Sequence, residues 1–179
     1  MHLRIYDPRI IAIDLRFRRS GFAIFEGPKR LLDFGSTPVQ PGQLVNAGNS
    51  ISELLKLSLP TVIVIKKQRW EKMLIHPQAN LMIEALTSES GSHRIQIRLL
   101  DQEAIRSTYR NLGCETKGEI SSALVRMFPE LDWHSPPIRR AWEPEHSAQM
   151  VFDAIALGLA YWQNETNIAD AREKTEFQE

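Results

Sequence analysis

Thr61–Ile65 reads TVIVI, an unbroken run of β-branched residues, and no other segment restricts the fold so tightly. β-Branched side chains are stiff at χ1 and favour extended backbone. A strand without polar alternation has no face to give to water, so it belongs in a sheet covered on both sides, as parallel strands are. Arg9–Ile13 (RIIAI) is a second run of this kind, and it ends on Asp14. Gly21–Phe25 and Leu31–Phe34 follow, broken by Gly27-Pro28 and by Gly35. The chain therefore opens as an antiparallel meander of three short strands.

Helical patterns fill the remainder. Leu44, Val45, Ile51, Leu54, Leu55 and Leu57 fall at roughly helical spacing between Gln43 and Leu59, and Pro60 stops that helix. A second helical stretch lies near Asn80–Leu86, and Ile95–Leu100 alternates as a strand. Asp101 is placed to N-cap a helix that ends at Gly113. Thr116, with Glu119 three residues on, forms a capping box for a helix running to about Phe128. Residues 129–144 hold four of the ten prolines and two of the four tryptophans, which predicts a loop. The last helix is expected over 145–163, with Val151, Ile155, Leu159, Tyr161 and Trp162 on its apolar face. The order is that of an α/β domain over 1–164, followed by an acidic, flexible tail over 165–179.

Composition narrows the function classes. The single Cys114 excludes a disulfide framework and a multi-cysteine zinc site. No apolar run reaches the ~20 residues that span a bilayer, and no signal peptide is recognisable, so a cytoplasmic protein without membrane association is expected. Lys+Arg and Asp+Glu both number 22, but the balance is uneven. Residues 165–179 carry five acids against Arg172 and Lys174, which leaves 20 basic and 17 acidic residues in 1–164. The cations cluster at Arg16, Arg18 and Arg19, at Lys66, Lys67, Arg69 and Lys72, and at Arg139 and Arg140. Such runs are ordinarily solvated surface, and they become a phosphate-binding surface only where they converge in space.

Two carboxylates stand out. Asp14 ends the first strand, where it could hold a metal over the sheet or simply form the turn. Asp153 lies inside an apolar helical stretch, MVFDAIALGLA. Asp is a poor helix former, and at such a place it must be solvated, paired or functional.

With these residues in view, the chain resembles the RuvC family of Holliday-junction resolvases. IIAIDLRFRRSGFAIF is similar to the family's first hairpin, and TVIVIKKQ to its fourth strand. LLDQEAIRSTYRNLGCETKGEISSALVRMF resembles its paired helices, with Lys117 matching the Lys that opens the second. VFDAIALGLAYW looks like its final helix. The resemblance covers most of 9–163. It implies an RNase H-like fold, in which a mixed five-stranded sheet joins an antiparallel three-strand meander to parallel strands, flanked by helices. It also implies a homodimer, branched DNA as the partner, and hydrolysis of a phosphodiester with Mg2+ or Mn2+ held by Asp14 and Asp153. Two close divalent ions need several anionic oxygen ligands.

The sequence departs from that pattern where it matters. The fourth strand should end in Glu but has Lys66, and an expected acid or His of the last helix is Met150. The Pro-Gly after the first Asp is Leu15-Arg16. A Lys about 4 Å from Asp14 would attract it by ~4 kcal/mol at an effective dielectric of 20, so Lys66 is expected to pair with Asp14 in place of a metal. His146, Glu145 and Gln149 are possible replacement ligands. Arg16, Arg18, Arg19, Lys67, Arg69, Trp70 and Lys117 are the expected nucleic-acid contacts, with Trp70 able to stack a base. The resemblance implies first a metal-dependent endonuclease for branched DNA. The alternative is a catalytically silent relative that binds nucleic acid or a protein. An actin-like phosphotransferase lobe is a third reading, since Asp before a Gly-containing hairpin also opens that fold.

Overall fold

The computed structural model describes residues 8–16, 19–38, 53–67, 95–137 and 146–176, the last ten as backbone. The strands are β1 (Arg9–Asp14), β2 (Arg19–Glu26), β3 (Leu31–Pro38), β4 (Val62–Lys66) and β5 (Gln96–Leu100). The helices are α1 (Gln102–Arg110), α2 (Lys117–Met127) and α3 (Gln149–Glu176), with a 3-10 turn at Pro129–His134. Residues 53–58 are also helical.

The strands form one sheet in the order β3-β2-β1-β4-β5. β1–β2 and β2–β3 pair antiparallel, while β1–β4 and β4–β5 pair parallel. Both apolar runs lie inside this sheet, β1 at its centre and β4 beside it. Their alternate residues build two separate cores. Ile10, Ala12, Val62 and Val64 face Ile105, Tyr109, Leu124, Phe152 and Ile155 from the three helices. Ile11, Ile13, Ile63 and Ile65 face the other way, onto Leu55. This two-sided burial explains why neither strand alternates in sequence.

The boundaries of the elements follow local chemistry. Asp101 caps α1 by accepting from the Ala104 N–H at 2.7 Å. The helix ends at Arg110 with Asn111 as its C-cap, not at Gly113. Gly113 instead takes φ 76° in the turn beyond, a left-handed conformation that suits glycine. At α2 the capping box is complete: Thr116 Oγ1 accepts from the Glu119 N–H at 3.2 Å, and Glu119 Oε2 accepts from the Thr116 N–H at 2.8 Å. Thr116→Ala is expected to cost about 1 kcal/mol, read by urea denaturation, because it orphans a donor at the helix start.

Three expectations need correction. Residues 129–134 form a 3-10 helix rather than loop, because Pro129 presets the first φ and Leu131 anchors the turn with no exposed surface. α3 begins at Gln149, not Glu145. It also runs on to Glu176, past the expected end at Gln163 and into the stretch read as a tail. Residues 164–176 contain neither Gly nor Pro and are rich in Glu, Ala, Lys and Arg, which are good helix formers. A polar composition ends the burial of a helix, not its backbone. The helix expected near Asn80–Leu86 lies outside the described residues. Among the described residues no helix is long and apolar enough to cross a membrane.

Candidate functional site

The carboxyl end of β1 is where the two singled-out carboxylates meet. Asp14 is paired with Gly21 of β2, one step beyond the pair Ile13–Ile65 that joins β1 to β4. Its side chain leaves the sheet on the same face as Ala12, toward α3. Gly21 sets the approach of that helix. A Cβ built there would stand 2.0 Å from the carbonyl oxygen of Met150, so only glycine lets the first turn of α3 lie against β2. Farther along α3, Gly158 does the same, since a Cβ there would stand 2.4 Å from the ring of Phe25. This contact brings Asp153, one turn into α3, over Asp14.

A cation joins the two acids. Arg16 Nε donates to Asp14 Oδ2 at 2.6 Å, and Arg16 Nη2 donates to Asp153 Oδ2, also at 2.6 Å. Lys117, the first residue of α2, donates from Nζ to the same Asp153 oxygen at 2.8 Å. Gln149, one turn earlier on α3, donates from Nε2 to Asp153 Oδ1 at 2.9 Å. Asp153 thus receives three donors, two of them charged. Burial pushes the Asp14 carboxyl above its usual range; Arg16 opposes that rise, Asp153 adds to it, and Lys66 opposes it more weakly.

The expected residues fall into distinct places. Asp14, Asp153, Arg16, Lys117 and Gln149 come together. Lys66 does not hold Asp14 as expected: it acts on it through space, and the direct partner is Arg16. The reason is reach. Arg16 follows Asp14 by two residues in the same turn, and its planar fork can bond two carboxylates at once. Met150 is buried in the core at the start of α3. His146 is exposed and accepts the Ala148 N–H on Nδ1 at 3.2 Å, just ahead of the helix, so it is not brought to the aspartates. Arg19 is exposed and donates to Ser36 Oγ at 2.7 Å. Lys67 is exposed just past β4. Arg18, Arg69, Trp70 and Glu145 lie outside the described residues. The role of Gly21 was not anticipated; a glycine inside an apolar strand was the available signal.

Whether this arrangement fits a pair of divalent ions can be judged from its donors. Among the described residues no three His, Cys, Asp or Glu side chains gather where they could hold a metal. Both aspartates already receive cationic donors, and their two negative charges are matched by Arg16 and Lys117. Mg2+ requires near-octahedral oxygen coordination. As arranged, the described residues do not fit two such ions.

No family model matches the sequence, and no curated protein matches it. Solved structures do. Thermus thermophilus RuvC superposes with a TM-score of 0.65 at 14% identity, covering 89% of this chain and 96% of that one. The same protein in complex with a Holliday junction substrate gives 0.64 at 14%, over 86% and 91% of the two chains. The yeast mitochondrial Holliday junction resolvase Ydc2 gives 0.53 at 17%, over 95% and 86%. The shared fold, a mixed five-stranded sheet flanked by helices, extends over most of both chains in spite of the low identity. By its fold, this chain is RuvC-like.

Proposed function

We propose that this protein binds branched DNA along the carboxyl edge of its sheet and leaves the phosphodiester intact. The observation that carries this reading is the pairing of Asp14 and Asp153 with Arg16 and Lys117, which occupies the carboxylates that hydrolysis would need. The choice of DNA is supported by the fold shared with proteins solved as Holliday junction resolvases. It is also supported by charge. Topology brings the end of β1, the start of β2 and the end of β4 to one edge. Arg19, Lys66 and Lys67 therefore share it with the centre. Lys and Arg on one edge supply the non-sequence-specific, salt-dependent part of DNA affinity. A two-fold dimer would match the symmetry of a four-way junction.

A second reading, that of a metal-dependent endonuclease, is favoured by the resolvase neighbours themselves. It requires Arg16 and Lys117 to leave the aspartates when metal and DNA arrive.

The binding claim is tested by titrating a four-way junction and a linear duplex of the same sequence. Wild type is expected to prefer the junction. Arg19→Glu with Lys67→Glu should weaken binding about tenfold or more and lower the salt slope by about 2. Equal affinity for both DNAs, or indifference to the two charge reversals, would overturn it.

A further inference from the structure

We infer that Arg16 is a resident cation, tethered beside Asp14 so that its guanidinium, together with the Lys117 ammonium, excludes a divalent ion from the space between the two aspartates. The inference rests on the reading of a non-hydrolytic centre and gives it a cause.

Three observations carry it. First, one guanidinium bridges carboxylates that are 139 positions apart in the numbering, meeting both at 2.6 Å. Second, the tether is short. Arg16 lies two residues beyond Asp14, so it competes with free ions as an intramolecular partner of high effective concentration. Third, the guanidinium cannot be deprotonated in a protein, so a rise in pH does not release it. Lys117 adds a second charge on the Asp153 oxygen that Arg16 already holds. That oxygen would have to shed two cations before it could bind a third. Gln149 completes the arrangement by donating to the other Asp153 oxygen. An acid at that position could have added a ligand; the amide instead spends its N–H on the carboxylate.

The test is a titration with Mn2+ alone, followed by electron paramagnetic resonance of the free ion, on the full chain without DNA. Wild type should leave millimolar Mn2+ free. Arg16→Ala with Lys117→Ala should bind Mn2+ about tenfold or more tightly than wild type, as removal of two adjacent cations demands. Adding Asp153→Asn to that pair should abolish the gain. Arg16→Lys, which keeps a cation but not the fork that reaches both carboxylates, should bind Mn2+ less tightly than the double variant. Should the double variant fail to fold, Arg16→Gln keeps a polar side chain without the charge and is read by the same titration.

Mn2+ binding by wild type that Asp153→Asn abolishes would overturn the inference. So would a folded, cation-free variant that binds no better than wild type. Neither result touches junction binding, which the separate DNA titration reads.

Discussion

Asp153→Asn is expected to lower the stability of this protein by about 2 kcal/mol, seen in urea denaturation and as a fall of about 4–8 °C in Tm. The side chain is only 14% exposed and receives Arg16, Lys117 and Gln149. Removing its charge leaves two cations facing an amide. Breaking a fully buried pair costs about 3–5 kcal/mol. The figure here is lower because Arg16 is 28% exposed and Lys117 49% exposed, so water can take up part of their charge. The sign is the informative part. In a metal centre without its metal, clustered carboxylates repel one another, and neutralising one raises stability. Here each carboxylate has a cation, so neutralisation lowers it. Asp14→Asn should cost less than Asp153→Asn, since Arg16 retains Asp153 and burial of the Asp14 charge is itself unfavourable. A rise in Tm for Asp153→Asn would contradict the ion-paired centre.

Gly21→Ala is expected to be at least as damaging, at about 3 kcal/mol. The new methyl would meet the Met150 carbonyl at 2.0 Å, against an ordinary contact of about 3.5–4.0 Å. The obstacle is backbone, so no side chain can turn aside, and the start of α3 must move away from β2. Overpacking ordinarily costs about 1–3 kcal/mol, and a rigid neighbour puts this case at the top of that range. The displacement also carries Gln149 and Asp153 away from Arg16. Stability and the ion pairing should therefore fall together, the second seen as a smaller further loss when Asp153→Asn is added. Gly118→Ala is the matched control. Its nearest neighbour, Thr116 Oγ1, is 4.0 Å away, an ordinary contact, and it should be neutral or stabilising. Equal stability of the two variants would show that α3 does not rest on Gly21.

The sheet was legible because its signals are local. An unalternated TVIVI can only be buried on both faces, and Asp101 and Thr116 announce helix starts through hydrogen bonds within three residues. The end of α3 was misjudged because polarity marks where a helix leaves the core rather than where it stops. Asp14 and Asp153 could be singled out as anomalies, one at a strand end and one inside an apolar stretch. Their partner could not. Lys66 and Arg16 are both cations near the same strand ends, and pattern alone does not rank them. The choice depends on the length of the Arg16 stem, its planar fork and the approach of α3 across Gly21. These are tertiary facts with no periodic trace in the sequence.

The most direct measurement is to mix wild-type protein with an end-labelled four-way junction in Mg2+, and again in Mn2+, scoring binding and strand scission in the same samples. The ion-paired centre predicts a junction that is bound and uncut in both metals, with binding unchanged when EDTA replaces them. Paired nicks that need the metal and vanish in Asp14→Asn would contradict it, and would mean that Arg16 yields its place during catalysis.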